Sequence, residues 1–349
     1  GTPSSQKKGF PSPQPPEALF MPNVYYHLSH YISHRRAGEA YRRCLRLAGI
    51  SLTDDPARAD VAVLHDDPLN YPGILARWGV RPKRLVAYAV WEAERLPSAY
   101  VGPLQLVDEI WTCSEFSRAA FARSFDRVRL LPHVVERVAP DPGDVERMRE
   151  RIGFREGVFS FYAIADSVNP RKNLPGLLRV FSKAFMKSAD VRLVVKQYRA
   201  PLDLSTLPGV ISIDEELSDS MMAALHEVCH CLVSLHHAEA WGLGLSEAMA
   251  CGNPVVATGY SGNMEYMDET NSYPVRYALV PVSGEMRLRI PLYEADMHWA
   301  EPDEGHAAYL MRRLASGRGG ETGERARAVA GRFGPAVIAA RLRELLAGL

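Results

Sequence analysis

The stretch Glu239-Ala-Trp-Gly-Leu-Gly-Leu-Ser-Glu247 places two carboxylates, separated by seven residues, around a Gly-x-Gly turn. It directly follows the apolar run 231–235, which predicts a buried strand. Residues 242–251 predict a helix that ends at Gly252, because glycine readily adopts the left-handed conformation of a C-terminal cap. A strand, a glycine turn and a helix in this order predict one unit of a parallel α/β sheet.

The start of this predicted helix has the properties of an anion site. Unpaired backbone N–H groups at a helix N-terminus, together with the helix dipole, favour a diphosphate. Glu239 would then lie in the loop beside the phosphates, and Glu247, one to two turns into the helix, would accept hydrogen bonds from a ribose diol. The simpler interpretation is a loop glutamate and a solvated helix glutamate. Together these groups predict a nucleotide-sugar site. Trp241, Gly242, Leu243 and Gly244 also belong to this predicted site.

The longer segment 236–266, HHAEAWGLGLSEAMACGNPVVATGYSGNMEY, resembles the signature of retaining glycosyltransferases of family four, which have the GT-B fold. In that family a loop Glu precedes a helix with a second Glu followed by Ala-Met-Ala-Cys-Gly, and Pro-Val-Val-Ala opens the next strand. Upstream, the segment 165–173, ADSVNPRKN, resembles the loop in which a Lys contacts the diphosphate, here Lys172. The resemblance covers residues 23–349, including the stretches 90–92, 107–111 and 131–134.

The resemblance implies two Rossmann-like, doubly wound parallel-sheet domains that face an interdomain cleft. It implies transfer of a sugar, with retention, from a nucleoside-diphosphate sugar to an acceptor hydroxyl in polysaccharide or glycoconjugate biosynthesis. Glu239 would orient the donor sugar, while Lys172 and Arg171 would hold the leaving diphosphate. Much of the family has an Arg five residues before the Lys. Ser167 stands there in this chain, so Arg171 is the substitute and Ser167 joins the donor-binding residues.

A metal ion is not expected at this site. The chain has no Asp-x-Asp triplet, the device by which the other large glycosyltransferase architecture holds a divalent metal. A helix dipole and the side chains of Arg171 and Lys172 would supply the positive charge that a departing diphosphate needs. The prediction is therefore metal-independent catalysis without a cofactor.

Length and composition agree with a two-domain enzyme. The chain has 349 residues, too many for one ordinary core, and its 41 basic and 41 acidic side chains balance, which excludes a nucleic-acid partner. The five cysteines are scattered and odd in number, which favours a reducing, cytoplasmic location. Residues 1–22 hold six prolines and predict a disordered lead-in rather than a signal peptide.

Two series of strand-like runs alternate with helical patterns, which predicts two parallel sheets. The first series defines an acceptor-binding domain over residues 23–140, and turn residues follow at its end. The second defines a nucleotide-sugar-binding domain over residues 141–334, in which 275–280 predicts the last strand. Residues 335–349 predict a helix, which in the resembling family crosses back to the N-terminal domain.

The acceptor side is predicted from two stretches. The segment 27–38, expected as a loop, has three histidines and two arginines where the family has glycines, and His30 is its acceptor-binding candidate. Together with the arginines up to Arg46, this segment could bind an acidic acceptor, or it could contact a membrane that carries a lipid-linked glycan acceptor. The alternative is that these residues form a solvated basic helix face. Trp91 would stack on a sugar and Glu92 would bind its hydroxyl, although a Trp ending an apolar strand also suits core packing.

Other chemistries fit the residues less well. The spacing of Cys229, His230 and Cys231 matches no common zinc pattern, because side chains alternate along a strand. Ser246 lies within a predicted helix, and the stretch 259–263 lacks the second glycine of a nucleophile elbow. Within the same architecture, a sugar-nucleotide epimerase, a phosphorolytic enzyme and a catalytically silent nucleotide-sugar-binding module remain as alternatives.

Overall fold

The structure is a computed structural model that describes residues 21–317 and 322–349. The predicted lead-in, residues 1–22, lies outside the described residues except for its last two. The strands are β1 (Val24–Leu28), β2 (Leu52–Thr53), β3 (Val61–His65), β4 (Arg84–Tyr88), β5 (Glu109–Thr112), β6 (Val128–Leu130), β7 (Phe159–Asp166), β8 (Val191–Tyr198), β9 (Val210–Ile213), β10 (Cys231–Ser234), β11 (Val255–Thr258), β12 (Tyr273–Val275), β13 (Tyr277–Pro281) and β14 (His298–Pro302). The helices are α1 (Ile32–Leu47), α2 (Tyr71–Trp78), α3 (Ser98–Leu104), α4 (Glu115–Ala122), α5 (Pro142–Arg151), α6 (Leu174–Phe185), α7 (Asp219–Val228), α8 (Leu243–Cys251), α9 (Gly284–Arg289), α10 (Glu304–Ala315), α11 (Gly323–Phe333) and α12 (Pro335–Ala347).

Two six-stranded parallel sheets form the two halves of the molecule. The first has the order β2-β1-β3-β4-β5-β6, and the second has the order β12-β11-β10-β7-β8-β9. In the second sheet β8 and β9 follow β7 outward on one side. The chain then returns to the centre, where β10 pairs with the other side of β7, and β11 and β12 follow outward from there. Ligands of such sheets bind where the order reverses, at the carboxyl ends of the two central strands. The predicted pair of Rossmann-like domains is confirmed.

Amphipathic helices cover the sheets as their sequences predict. In α6 the apolar side chains of Leu177, Val180 and Phe181 are buried against the second sheet. Its N-terminal cap is Asn173, whose side chain accepts a hydrogen bond from the backbone N–H of Gly176. Such a cap satisfies one of the donors that a helix start leaves unpaired. It also fixes the direction in which the chain leaves the preceding loop.

The last helix, α12, lies against α1 of the N-terminal domain. Two of its arginines donate to backbone carbonyls there, Arg341 to Leu130 at 3.2 Å and Arg343 to Ala48 at 3.2 Å. The chain thus begins its second domain at α5 and returns to the first at its C-terminal end. The two domains are joined by two chain crossings.

The structure differs from the sequence prediction at two places. The segment 27–38 is mostly not a loop, because α1 already begins at Ile32 and leaves only a short turn after β1. The predicted strand 275–280 is two strands, β12 and β13, of which β13 pairs antiparallel with β14. The backbone N–H of Arg276 donates to the His306 ring instead of continuing the parallel ladder. The chain therefore leaves the second sheet at that residue.

None of the helices in residues 21–317 and 322–349 combines the length and the apolar composition needed to cross a bilayer.

Candidate active site

The two loops predicted to carry chemistry lie next to each other at the reversal point of the second sheet. One follows β7 and contains a short turn of 3-10 helix, Pro170–Lys172; the other follows β10 and contains Glu239. The backbone N–H of His237 donates to the carbonyl of Arg171 at 2.8 Å and joins the two loops directly. The sheet topology thus brings together residues that are 67 positions apart in sequence.

Four side chains form what we call the Arg171 cluster: Glu92, Arg171, Lys172 and Glu239. Glu239 Oε1 lies 2.5 Å from Lys172 Nζ, and Glu239 Oε2 lies 3.0 Å from Arg171 Nη1. Arg171 Nη2 also reaches Glu92 Oε1, in the N-terminal domain, at 3.1 Å. The guanidinium therefore bridges the two domains, because its fork of donors can engage two carboxylates at once.

The cluster keeps Glu239 ionised. Burial alone would raise the pKa of this carboxyl group, but the adjacent Lys172 and Arg171 cations lower the pKa well below its usual value. For Arg171, burial would lower the pKa, and the nearby Glu92 and Glu239 carboxylates raise it instead. Charged groups that are buried without partners are costly, whereas here each charge has an opposite one within hydrogen-bonding distance.

The structure corrects the role predicted for Arg171. Its side chain is 8% exposed and is occupied by two carboxylates and by the carbonyl of Ala238. It is therefore a structural partner of Glu239 and Glu92 and is not directed at open space. Lys172 has a side chain that is 25% exposed and remains the cation suited to a diphosphate.

The loop of Glu239 is fixed by the segment that follows β11. The backbone N–H of Glu239 donates to Ser261 Oγ at 2.8 Å, and its carbonyl accepts from the N–H of Gly262 at 2.8 Å. Gly262 has to be glycine, because a Cβ there would lie 1.8 Å from the carbonyl oxygen of Ala240. The buried ring of His236 hydrogen-bonds to Asn263, and burial lowers its pKa to about 4. This ring is neutral at physiological pH.

The helix that follows, α8, begins as the sequence predicts. Gly242 is its N-terminal cap with a φ of 85°, a left-handed conformation that glycine adopts without strain. The amides of Leu243 and Gly244 lie in the first turn, where a helix provides no backbone partners. Tyr266 donates to the carbonyls of Trp241 and Gly242 and holds this turn in place. Trp241 is only 2% exposed, so its side chain offers no face to a donor.

The second carboxylate, Glu247, lies on α8 but faces the other domain. Arg36 of α1 lies 3.6 Å from it and 3.1 Å from Asp219; we call these three residues the Arg36 contact. A cavity of about 130 Å³ is lined by the contact and by residues of α7, including His226. Burial raises the pKa of Glu247, which Arg36 only partly offsets.

The predicted acceptor residues are not all brought together. Trp91 is 3% exposed and packs on Tyr100 and Tyr293, so it offers no face to a sugar: core packing is its role. Glu92, by contrast, belongs to the Arg171 cluster. His30 is exposed, and no hydrogen bond or ion pair among the described residues links it to either of them. The donor candidate Ser167 donates its hydroxyl to Gln197 at 2.5 Å.

The basic residues of α1 largely have acidic partners within the protein. Arg35 pairs with Glu39, Arg42 with Asp54, and Arg43 with Glu136 at 2.8 Å. Together with the Arg36 contact, these ion pairs neutralise most of the positive face predicted there.

Tyr293 was not identified from the sequence. It lies between β13 and β14 and is 4% exposed, and burial together with the nearby Glu92 carboxylate of the Arg171 cluster raises the pKa of its phenol. The only signal in the sequence is a run of aromatic and acidic residues, Tyr293-Glu-Ala-Asp-Met-His-Trp299, which has no strand or helix period.

Comparison with known proteins places this geometry in a family context. Residues 145–275 match the family of glycosyl transferases group 1. The match covers most of the C-terminal domain, including the loops of Lys172 and Glu239 and α8, and over these residues it agrees with the resemblance found in the sequence. No curated protein sequence matches the chain.

Solved structures extend the similarity to both domains. HepE of Anabaena, in complex with UDP and glucose, superposes with a TM-score of 0.62 at 15% identity, over 95% of this chain and 100% of that one. A glycosyltransferase from Rickettsia africae gives 0.63 at 12% identity, over 93% and 98% of the two chains. Sucrose-phosphate synthase from Thermosynechococcus elongatus gives 0.61 at 14% identity, over 88% and 75%. These similarities show the GT-B fold.

Proposed function

We propose that this protein is a retaining glycosyltransferase that moves a sugar from a nucleoside-diphosphate sugar to an acceptor hydroxyl, without a metal ion. The observation that carries the proposal is the convergence of Lys172, ionised Glu239 and the start of α8 at the reversal point of the second sheet, within the segment that matches glycosyl transferases group 1. This is where an open parallel sheet binds its ligand.

The diphosphate would bind at the first turn of α8. The amides of Leu243 and Gly244 and the ammonium group of Lys172 supply positive charge where the leaving diphosphate gains negative charge. Glu247 would accept hydrogen bonds from the ribose hydroxyls. To do so it has to release Arg36, which lies 3.6 Å away. Ser167 lies at the end of β7 and would complete the donor site.

The reaction would take place beside Glu239. The bond between the anomeric carbon and the diphosphate breaks, the acceptor oxygen forms the new bond on the same face, and the acceptor proton passes to a diphosphate oxygen. Glu239 would orient the donor sugar's hydroxyls and stabilise the electron-poor ring. Glu92 would contact the acceptor or the donor sugar from the N-terminal domain. The acceptor would be a sugar or a lipid-linked glycan of cytoplasmic polysaccharide or glycoconjugate biosynthesis.

The donor nucleotide can be found by thermal stabilisation with UDP, GDP, dTDP, ADP and CMP, because a ligand that binds only the folded state raises the melting temperature. We expect selective stabilisation by one nucleoside diphosphate, and UDP is the first candidate because HepE was solved with it. Stabilisation by none of the five would contradict the proposal.

Nuclear magnetic resonance of the products then tests the chemistry. With the matching nucleotide sugar, we expect a new glycosidic bond of the same anomeric configuration as the donor. Inversion would exclude retention, epimerised donor would indicate an epimerase, and unchanged donor would indicate a binding module.

A further inference from the structure

One segment of the C-terminal domain leaves its own sheet and packs on the N-terminal domain. It consists of β13, α9, β14 and the residues between them, 277–302, and we call it the strap. Its two strands pair only with each other, in an antiparallel ribbon outside both six-stranded sheets. A two-stranded ribbon is marginally stable by itself, so the strap depends on what it packs against.

The strap shares a hydrophobic core with the N-terminal domain. Strap side chains and residues that follow β4 belong to one buried cluster. At its centre the ring of Tyr293 lies 4.9 Å from that of Trp91. The strap members of this cluster, each at most 4% exposed, are Val282, Met286, Tyr293, Met297 and Trp299. Burial of this apolar area stabilises the contact and, unlike an ion pair, is not weakened by charge screening.

Hydrogen bonds from the same segment fix its register on the N-terminal domain. Glu294 accepts from the guanidinium of Arg95 at 2.5 Å and from the backbone N–H of Ser98 at 2.7 Å. In the opposite direction, the backbone N–H of His298 donates to Glu94 at 2.9 Å. Each contact attaches to the loop that also carries Glu92.

The other end of the strap is attached to the loop of Glu239. Ala300 and His237 exchange two hydrogen bonds, from the Ala300 N–H to the His237 carbonyl at 2.9 Å and between the His237 ring and the Ala300 carbonyl at 2.7 Å. The His237 ring also stacks on Trp299 with centroids 4.1 Å apart. The strap therefore connects the loop of Glu92 in one domain to the loop of Glu239 in the other.

The Arg36 contact connects the same two domains in a different way. Arg36 and Asp219 have side chains that are 42% and 76% exposed, and the contact is made of ion pairs. Exposed ion pairs contribute little free energy and are screened by salt.

We propose that the strap is a positioning element: Tyr293 and the Arg95–Glu294 pair hold Glu92 against Arg171 and Glu239 while the domains separate at the Arg36 contact. Glu92 is then a permanent member of the site, although it belongs to the opposite domain. Its use in catalysis rests on the proposed function. The geometry of the strap does not.

Spin-label distances can test this without any substrate. Two pairs of exposed residues are replaced by labelled cysteines in a Cys251→Ser background, since the other four cysteines are buried. The pair Glu39→Cys and Glu216→Cys spans the Arg36 contact, and the pair Leu106→Cys and Leu288→Cys joins the N-terminal domain to the strap. The contact is then broken by Arg36→Glu, which repels Asp219, and separately by 1 M NaCl, where the screening length is about 3 Å.

We expect the distance distribution across the Arg36 contact to broaden under both conditions, and the distribution between the N-terminal domain and the strap to keep its position and width. Broadening of both pairs together would overturn the proposal. So would an unchanged distance across the Arg36 contact, because the domains would then not separate there. Neither outcome depends on nucleotide binding or on turnover, so failure here is distinct from failure of the proposed function.

Tyr293→Phe tests the positioning role, because it removes only the hydroxyl near the Glu92 carboxylate and leaves the packed ring. With the donor found by thermal stabilisation, we expect kcat to fall on the order of tenfold to a hundredfold, as for the loss of one polar contact to a charged group. The affinity for the free nucleotide should not change. The matched control is Tyr277→Phe on the exposed side of the strap, which is 41% exposed. Equal losses in kcat and nucleotide affinity, or an unchanged kcat, would refute the positioning role.

Discussion

The Arg171 cluster and the Arg36 contact, in each of which an Arg side chain joins the domains, differ in depth, in partners and in charge. In the Arg171 cluster the buried Glu239 and the partly buried Glu92 share a guanidinium that is 8% exposed. In the Arg36 contact one half-exposed guanidinium faces Asp219 and Glu247 at distances of 3.1 and 3.6 Å. The first is enclosed by the strap and the second is open to solvent.

This difference separates two functions that a cleft enzyme needs. Groups that act on the reacting centre have to be held within a fraction of an ångström, which favours burial and several fixed partners. Groups that admit and release a ligand have to exchange partners at low cost, which favours exposed, weak ion pairs. We infer that catalysis belongs to the Arg171 cluster and nucleotide entry to the Arg36 contact.

The largest expected effect is on stability. Arg171→Met should lower the free energy of unfolding by up to about 3–5 kcal/mol, because it leaves the partly buried Glu92 without a cation and the buried Glu239 with Lys172 alone. Arg36→Met should change it by less than about 1 kcal/mol. Urea unfolding of both variants at the same pH measures the two values. Similar losses for the two variants would mean that the two contacts do not differ as described.

The next effect is on the chemical step. Lys172→Ala removes the more exposed cation of the Arg171 cluster and should lower kcat on the order of a hundredfold to a thousandfold, as removal of one transition-state donor does. Nucleotide affinity should fall much less, because the charge on the diphosphate increases during bond breaking. Lys183→Ala is the matched control: it is a surface lysine of α6 that pairs with Glu304. An equal loss in kcat and affinity would indicate uniform binding instead.

The C-terminal half of the site was predictable because its parts are local. The strand, glycine turn and helix around Glu239 lie within a few residues of one another, and hydrophobic period and turn chemistry specify them directly. The loop of Lys172 is distant in sequence, but it follows the central strand β7, so the rule for parallel sheets places it correctly.

The rest of the site depends on contacts that no local pattern encodes. Nothing near Arg171 in sequence indicates that Glu92, from the other domain, would occupy its guanidinium. Trp91 ends an apolar run, which is compatible both with stacking on a sugar and with core packing. Only its contact with Tyr293 shows that it belongs to the core. The segment 275–280 has the composition of a single strand, and the antiparallel pairing that divides it comes from β14, about twenty residues later.

The smallest effect concerns the pH dependence of donor binding, and it contrasts the two glutamates. Burial raises the pKa of Glu247, whereas the cations of the Arg171 cluster lower that of Glu239. A carboxylate with a raised pKa takes up its proton at a higher pH than usual, so as the pH is lowered from 8 to 5 Glu247 accepts hydrogen bonds from ribose less well than a carboxylate with the usual pKa would. Glu239 stays ionised throughout. The nearby rings of His226 and His133 do not titrate in this range, because burial lowers their pKa values to about 4 and about 3.

Isothermal titration with the nucleoside-diphosphate sugar identified by the thermal and product tests, whose diphosphate has no ionisation in this range, measures the effect. Wild-type affinity should fall as the pH falls. Glu247→Gln should bind about tenfold more weakly at pH 8, as expected for one lost hydrogen bond to a charged group, and should show little further change at pH 5. Glu239→Gln should keep the wild-type pH dependence, because the titrating group is still present. The opposite result would be that Glu239→Gln removes the pH dependence of affinity and Glu247→Gln does not. The two carboxylates would then have exchanged roles, and so would the Arg171 cluster and the Arg36 contact.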